Sequence, residues 1–216
     1  TQITRRKFAS CYGGENDSDS VSVTEPDSES QRESIKREYE VGEKLLLNDF
    51  ESVDDLYNVK QTNLAYDTRV KMNISAEQKK SGEKSLKYTY IGGGNPMILQ
   101  RLDRTEYTDL DFGIISSTSL WIYSTAENSV NAKLHVITTG NIALLSSEAV
   151  ELKSGEWTEV SFDIDAYTRT KNKENIVGIA VELAIKGNQA DYYIDDWTIT
   201  IGNAVTNKEL AAPVVS

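Results

Sequence analysis

The stretch Thr158-Glu159-Val160-Ser161-Phe162-Asp163-Ile164 alternates polar and apolar residues with a period of two. Successive side chains of a β-strand point to opposite faces, so this pattern predicts a strand with one buried face. Three further stretches alternate in the same way or nearly so: residues 120–123, 132–136 and 177–183. We expect each of them to be a strand as well.

Turn-forming residues separate these strands. Glycine, asparagine and serine are concentrated at residues 92–96, 124–128, 153–156 and 186–189, and no helix of ordinary length is predicted between them. Residues 91–107 have the character of a long loop. Many short strands with turns at this spacing predict an all-β fold, an antiparallel β-sandwich with jelly-roll topology.

The chain is predicted to hold one such domain between two tails. Of its 216 residues, 45–202 match the size of a single β-sandwich, and 203–216 are expected to form a C-terminal linker. Residues 1–44 are expected to be an acidic, serine-rich tail, because residues 15–34 carry seven acids, six serines and one arginine. So few apolar groups cannot offset the entropy lost on ordering, and this composition predicts a disordered linker.

Charge and hydropathy restrict the partners. The net charge is −11 and the isoelectric point is near 4.7, so the chain repels phosphate backbones and anionic membrane surfaces. We therefore expect no nucleic-acid partner and favour a neutral or cationic one. No apolar run approaches the length that a membrane span needs.

Cys11 is the only cysteine, which excludes an intramolecular disulfide and a cysteine zinc cage. The segment Phe8-Ala9-Ser10-Cys11 is similar to a bacterial lipoprotein cleavage site. However, Arg5-Arg6-Lys7 stands where the apolar part of such a signal should be. Lipidation of Cys11 and a free thiol therefore both remain open.

Alternation also assigns faces to the strand residues. If Leu120 and Ile122 point into the core, Trp121 and Tyr123 point outward. Aromatic rings beside hydrogen-bonding side chains suit sugars, because a ring stacks on the apolar face of a pyranose while polar groups bind its hydroxyls. The outward rings could instead pack under a loop, a tail or a second domain, or bind a protein partner. The predicted ligand-binding residues on this face are Trp121, Tyr123, Lys133, His135, Glu182 and Lys87.

The remaining tryptophans are predicted to be structural. Trp157 stands at the start of a strand and is expected to cap one end of the core. Trp197 is in phase with Ile199 and Ile201, so it is expected to be buried. The same phase places the carboxylate of Asp195 on the inner face, where an unpaired charge would be costly.

Five segments in order carry a family resemblance. Over residues 45–202 the chain resembles the extracellular β-sandwich carbohydrate-binding modules that are attached to glycoside hydrolases. The segments are Asn48-Asp49-Phe50-Glu51, Ser81-Gly82-Glu83-Lys84-Ser85-Leu86-Lys87-Tyr88, Ser119-Leu120-Trp121-Ile122-Tyr123, Gly155-Glu156-Trp157-Thr158-Glu159-Val160 and Tyr193-Ile194-Asp195-Asp196.

The resemblance implies a non-catalytic, extracellular or cell-surface bacterial module that binds a polysaccharide or oligosaccharide and targets an attached catalytic domain to it. It also implies a structural Ca²⁺ held by Glu51, the carbonyl region of Lys84, and Asp195. The alternative for Asp195 is a carboxylate that accepts hydrogen bonds from backbone amides at the end of a strand.

Catalysis is not expected. Asp163-Ile164-Asp165 has the close spacing of a glycosidase acid pair, but no third acid is in register with it. The sequence has no Gly-x-Ser-x-Gly motif with which the only histidine, His135, could form a nucleophile triad. The main alternative to sugar binding is therefore a structural or protein-binding β-sandwich that acts as a spacer in a bacterial surface protein.

Overall fold

A computed structural model describes residues 38–61, 69–107, 110–138, 142–165 and 176–202. Most of the predicted N-terminal tail, including Cys11, and the predicted C-terminal linker lie outside these residues. None of the described helices is long and apolar enough to cross a membrane. The strands, in chain order, are β1 (Lys44–Asn48), β2 (Val59–Gln61), β3 (Val70–Ser75), β4 (Ser85–Tyr90), β5 (Met97–Arg101), β6 (Ile115–Ser124), β7 (Val130–Thr138), β8 (Ile142–Ser146), β9 (Val150–Leu152), β10 (Trp157–Asp163), β11 (Ile176–Ala184) and β12 (Ala190–Ile201).

The helical segments of the described residues are three short 3₁₀ turns at Val53–Tyr57, Leu102–Arg104 and Phe112–Ile114. The strands form two six-stranded antiparallel sheets. The first sheet has the order β10-β6-β12-β4-β3, and β1 pairs with the second half of β12. The second sheet has the order β2-β5-β11-β7-β8, and β9 also pairs with β7. The predicted jelly-roll β-sandwich is confirmed.

The core lies between the inner faces of the two sheets. Leu120 and Ile122 of the first sheet and Leu134 and Val181 of the second belong to one continuous buried cluster, and each is fully buried. Burial of a side chain of this size contributes about 1.5–3 kcal/mol. Trp197 is also fully buried, as its phase predicted.

Strand β5 corrects the prediction of a loop over residues 91–107. Met97 to Gln100 are all buried because both faces of the strand are covered. Ile98 faces the main core, whereas Met97 and Leu99 pack with Ile137 in a second apolar cluster on the other face of the sheet. A strand buried on both faces shows no alternation, so its period could not identify it.

A β-bulge in β12 changes the predicted position of Asp195. The pairing with β6 shifts register between Asp195 and Thr198, and Asp196 has a left-handed φ of 49°. The extra residue moves Asp195 out of phase with Trp197 and opposite Trp121, whose side chain faces outward. The expectation that Asp195 lies on the inner face is therefore wrong.

Candidate functional site

Three aromatic rings line up across the strands on the outer face of the first sheet. Trp157 of β10 pairs with Tyr123 of β6, which pairs with Tyr193 of β12. The ring centroids of Tyr123 and Trp157 are 5.7 Å apart, and those of Tyr123 and Tyr193 are 6.0 Å apart. We call these three residues the aromatic row. Tyr123 and Trp157 are half-buried, whereas Tyr193 is only 3% exposed, so the first two offer the surface for stacking.

A charged network continues this line from Tyr193 to the neighbouring strand β4. Lys87 pairs with Tyr193 in register, and its Nζ lies 2.6 Å from Glu77 Oε2 and 3.1 Å from Asp191 Oδ2. The hydroxyl of Tyr193 donates to Glu77 Oε2 at 2.5 Å, and Thr89 Oγ1 donates to Asp191 Oδ1 at 2.6 Å. Polar groups of fixed direction therefore stand at one end of the aromatic row.

The protonation states of this network follow from its contacts. The hydrogen bond from Lys87 lowers the pKa of Glu77, and the hydrogen bond to Glu77 raises the pKa of Lys87. Both groups are thus charged at neutral pH. A carboxylate and an ammonium held in this way present an acceptor and a donor to a neutral polar ligand.

The six residues predicted to bind ligand do not share one face. Trp121, Tyr123 and Lys87 lie together on the outer face of the first sheet. Lys133 and His135 lie on β7 and Glu182 lies on β11, where Glu182 pairs with Lys133. These three residues therefore belong to the second sheet, and the expectation of one common face is wrong.

His135 is 6% exposed and has little access to a ligand. Its Nδ1 lies 2.8 Å from Ser146 Oγ, and its Nε2 lies 3.4 Å from Glu182 Oε2. Burial is the main cause that lowers the pKa of His135, so the ring is neutral at pH 7. Ligand binding by Lys133, His135 and Glu182 stays a prediction.

Trp157 was not among the predicted ligand residues, and the prediction that it caps the core is wrong. It stands half-exposed beside Tyr123 on the outer face. The sequence does indicate the outward position of Trp157, because this residue is in phase with Glu159 and Ser161, which are polar and point outward. Glu77 was missed for another reason. It lies in the turn between β3 and β4, where alternation assigns no face.

The three predicted calcium residues meet at one turn, residues 80–84. Glu51 Oε1 accepts hydrogen bonds from the backbone amides of Glu83, at 2.8 Å, and Lys84, at 3.1 Å. The ammonium of Lys84 donates to the main-chain oxygen of Glu51 at 2.9 Å. Gly82 has a φ of 54°, and a Cβ placed there would lie 1.9 Å from Glu51 Oε1. The carboxylate of Glu51 thus packs directly against a glycine of the turn.

Asp195 binds the other end of the same turn. Its Oδ2 accepts from the backbone amides of Lys80, at 2.7 Å, and Ser81, at 3.2 Å, while Oδ1 accepts from its neighbour Asp196 at 2.8 Å. The side chain is fully buried, and this desolvation raises its pKa to about 6. We call the pair Glu51 and Asp195, with the amides that they bind, the carboxylate clip.

The contacts of the carboxylate clip differ from those of a Ca²⁺ cage. Calcium takes six to eight oxygen ligands, whereas every contact given above for the carboxylates of Glu51 and Asp195 is an N–H group. Within the described ranges, no three His, Cys, Asp or Glu side chains form a group that could hold a metal ion. The contacts match the alternative of amide hydrogen bonding, and calcium binding stays a prediction from the resemblance.

No family model matches the chain, and no curated protein matches its sequence. Solved structures do match. A family 22 xylan-binding module of Paenibacillus barcinonensis is 15% identical, with a TM-score of 0.54 over 78% of this chain and 100% of that one. A family 11 carbohydrate-binding module of Clostridium thermocellum, in complex with a mixed-linked β-1,3-1,4 tetrasaccharide, is 12% identical, with a TM-score of 0.51 over 76% and 98%.

A third match joins such a module to an enzyme. It is a Clostridium thermocellum xylanase structure that contains a family 22 module and a family 10 glycoside hydrolase module in complex with xylohexaose. It is 14% identical, with a TM-score of 0.52 over 76% of this chain and 30% of that one. At this level of identity the likeness concerns the fold, and the chain has the same β-sandwich fold as these carbohydrate-binding modules.

Proposed function

We propose that this domain is a non-catalytic module that binds a polysaccharide on the outer face of its first sheet. The observation that carries the proposal is the aromatic row beside the network of Lys87, Glu77 and Asp191. Tyr123 and Trp157 offer rings for the apolar face of a sugar. Lys87 and Glu77 offer a donor and an acceptor for its hydroxyls.

The ligand that suits this face is a neutral polysaccharide. The net charge of −11 opposes an anionic chain, and Glu77 and Asp191 already neutralise Lys87. Xylan and mixed-linked β-glucan are the first candidates, because modules of the same fold bind xylan or carry a mixed-linked tetrasaccharide.

Hydrolysis is not part of the proposal. A glycosidase holds two carboxyl groups on opposite sides of the scissile bond. Glu77 and Asp191, the carboxylates at the end of the aromatic row, instead both bind the one ammonium of Lys87. Such a pair is held charged and in place, which suits hydrogen bonding to hydroxyls.

The biological role that follows is to hold an attached catalytic domain on its substrate outside a bacterial cell. The xylanase structure with a module and a hydrolase in one chain supports this arrangement by analogy of fold. Binding to a polysaccharide raises the local concentration of any attached domain, so even weak affinity is useful.

For the turn at residues 80–84, we propose that hydrogen bonding by the carboxylate clip takes the place of calcium. Five backbone amides bind its two carboxylates, and the ammonium of Lys84 adds a positive charge beside Glu51. Hydrogen bonds to a charged acceptor are the stronger kind. They would fix the turn against the first sheet without a metal.

The proposal is tested by affinity electrophoresis through gels that contain xylan, mixed-linked β-glucan, mannan, xyloglucan or pectin. We expect at least one neutral polysaccharide to retard the wild type. Tyr123→Ala should weaken binding by about ten-fold or more, the effect of losing a central aromatic contact of about 1.4–2 kcal/mol. Tyr57→Ala is the matched control, because Tyr57 is 76% exposed and lies on the 3₁₀ turn Val53–Tyr57, which contributes no ring to the aromatic row.

Thermal unfolding of each variant shows whether the fold is intact. Absence of retardation by every polysaccharide would contradict sugar binding and favour the spacer or protein-binding alternative. Equal loss in Tyr57→Ala and Tyr123→Ala would show that binding does not depend on the aromatic row.

A further inference from the structure

Lys80 lies over the ring of Trp121 on the outer face of the first sheet. Its Nζ atom is 3.7 Å from the centroid of the indole. An ammonium at this distance is attracted by the negative face of the π system. One side of the Trp121 ring is therefore in contact with a cation of the same chain.

The main chain fixes Lys80 in this place. Its backbone amide donates to Asp195 Oδ2 at 2.7 Å, and Asp195 is the cross-strand partner of Trp121. The next residue is fixed as well, since Ser81 Oγ donates to Asp196 Oδ1 at 2.7 Å. The carboxylate clip and the bulge in β12 thus hold the backbone of Lys80 beside Trp121.

Tyr123 and Trp157 differ from Trp121 in this respect. Their rings contact each other at an angle of 58°, and in the described part of the chain no ammonium or guanidinium lies over either ring. Lys87, the other lysine of this face, is held by Glu77 and Asp191. The outer face therefore has two rings open to stacking and one that is covered.

We propose that Lys80 is a specificity-determining residue, which closes Trp121 to stacking and confines a bound glycan to Tyr123 and Trp157. This inference rests on the proposed function. A glycan that extends over Trp121 must first displace the ammonium. From the strength of an exposed cation–π contact, the displacement reduces affinity by about two- to five-fold.

The test is calorimetric titration of four variants with xylohexaose and with a mixed-linked β-glucan hexasaccharide. The variants are Lys80→Ala, Trp121→Ala, the double variant, and Lys79→Ala as the control at the neighbouring exposed lysine. We expect Lys80→Ala to bind about two- to five-fold more tightly than the wild type. Trp121→Ala alone should change the affinity little. In the double variant, the loss of Trp121 should abolish the increase in affinity that Lys80→Ala produces. Lys79→Ala should bind as the wild type does.

Weaker binding by Lys80→Ala would overturn the proposal, since the ammonium would then contact the ligand itself. Loss of binding in Trp121→Ala with Lys80 present would overturn it too. If the wild type binds neither sugar, the proposed function fails. The contact between Lys80 and Trp121 is then tested without a ligand. Acrylamide should quench the tryptophan fluorescence of Lys80→Ala more than that of Lys79→Ala, and equal quenching would show that Trp121 is not covered.

Discussion

The buried carboxylate of Asp195 makes the stability of the domain depend on pH in an unusual direction. Desolvation raises its pKa from an ordinary value of 3.8 to about 6, and the neighbouring charge of Asp196 adds to the rise. The folded state thus holds a proton more tightly than the unfolded chain does. Stability from this group is fully present below pH 4 and is lost as the pH rises through 6.

The magnitude follows from the same two values. A rise from 3.8 to about 6 corresponds to about 3 kcal/mol between the protonated and the charged forms. We expect the free energy of unfolding of the wild type, measured relative to Asp195→Asn, to be greater at pH 4 than at pH 7 by up to this amount. The amide side chain of that variant has no titratable proton, so the difference between the two proteins isolates this one group from the other acids.

The assay is urea unfolding, followed by tryptophan fluorescence, at half-unit steps from pH 4 to pH 8. Parallel pH profiles for the wild type and Asp195→Asn would refute the reasoning. A profile of opposite slope would refute it in an informative way. Such a slope would place the pKa of Asp195 below 3.8, where the hydrogen bonds from its three backbone amides, or a bound cation such as calcium, outweigh the desolvation of the carboxylate.

Three further predictions concern the same structure. Gly82→Ala should destabilise the domain by more than about 1 kcal/mol, because the new Cβ would collide with Glu51. Gly187, at φ 109°, has open space around it, so Gly187→Ala should show only the cost of its backbone conformation. Urea unfolding measures both variants. EDTA should leave the melting temperature unchanged, because the carboxylate clip is bound by amides, and a drop of several degrees that Ca²⁺ reverses would contradict this. Tyr192→Phe should be neutral or stabilising by up to about 1 kcal/mol, because this buried hydroxyl has no hydrogen-bond partner among the described residues; the midpoint of urea unfolding measures this too.

The fold could be predicted because most strands bury one face only. In β6 from Thr118 to Ser124, and in β10, the buried residues recur at every second position, and that period identifies a strand without any knowledge of its partners. Strand β5 could not be found in this way. Both faces of β5 are covered only once the sheets have assembled. Its sequence therefore shows an apolar run without alternation.

The site was predicted only in part, because alternation gives the face of a residue within its strand but not the sheet to which the strand belongs. Trp121 and His135 both point outward, yet they lie on different sheets. Which strands become neighbours depends on the long-range pairing of β6 with β10 and β12. The sequence pattern carries no direct record of that pairing.

The bulge in β12 joins two features that the sequence presents as separate. Alternation placed Asp195 on the inner face and Trp121 on the outer face, and the resemblance implied that Asp195 is a calcium ligand. One extra residue instead makes the two residues cross-strand neighbours on the same face. Through Asp195 the turn at residues 80–84 is held against this face, and through Lys80 the turn reaches the ring of Trp121. A change in the carboxylate clip should therefore alter sugar recognition as well as stability, since Asp195 binds the backbone amide of the lysine that lies over Trp121.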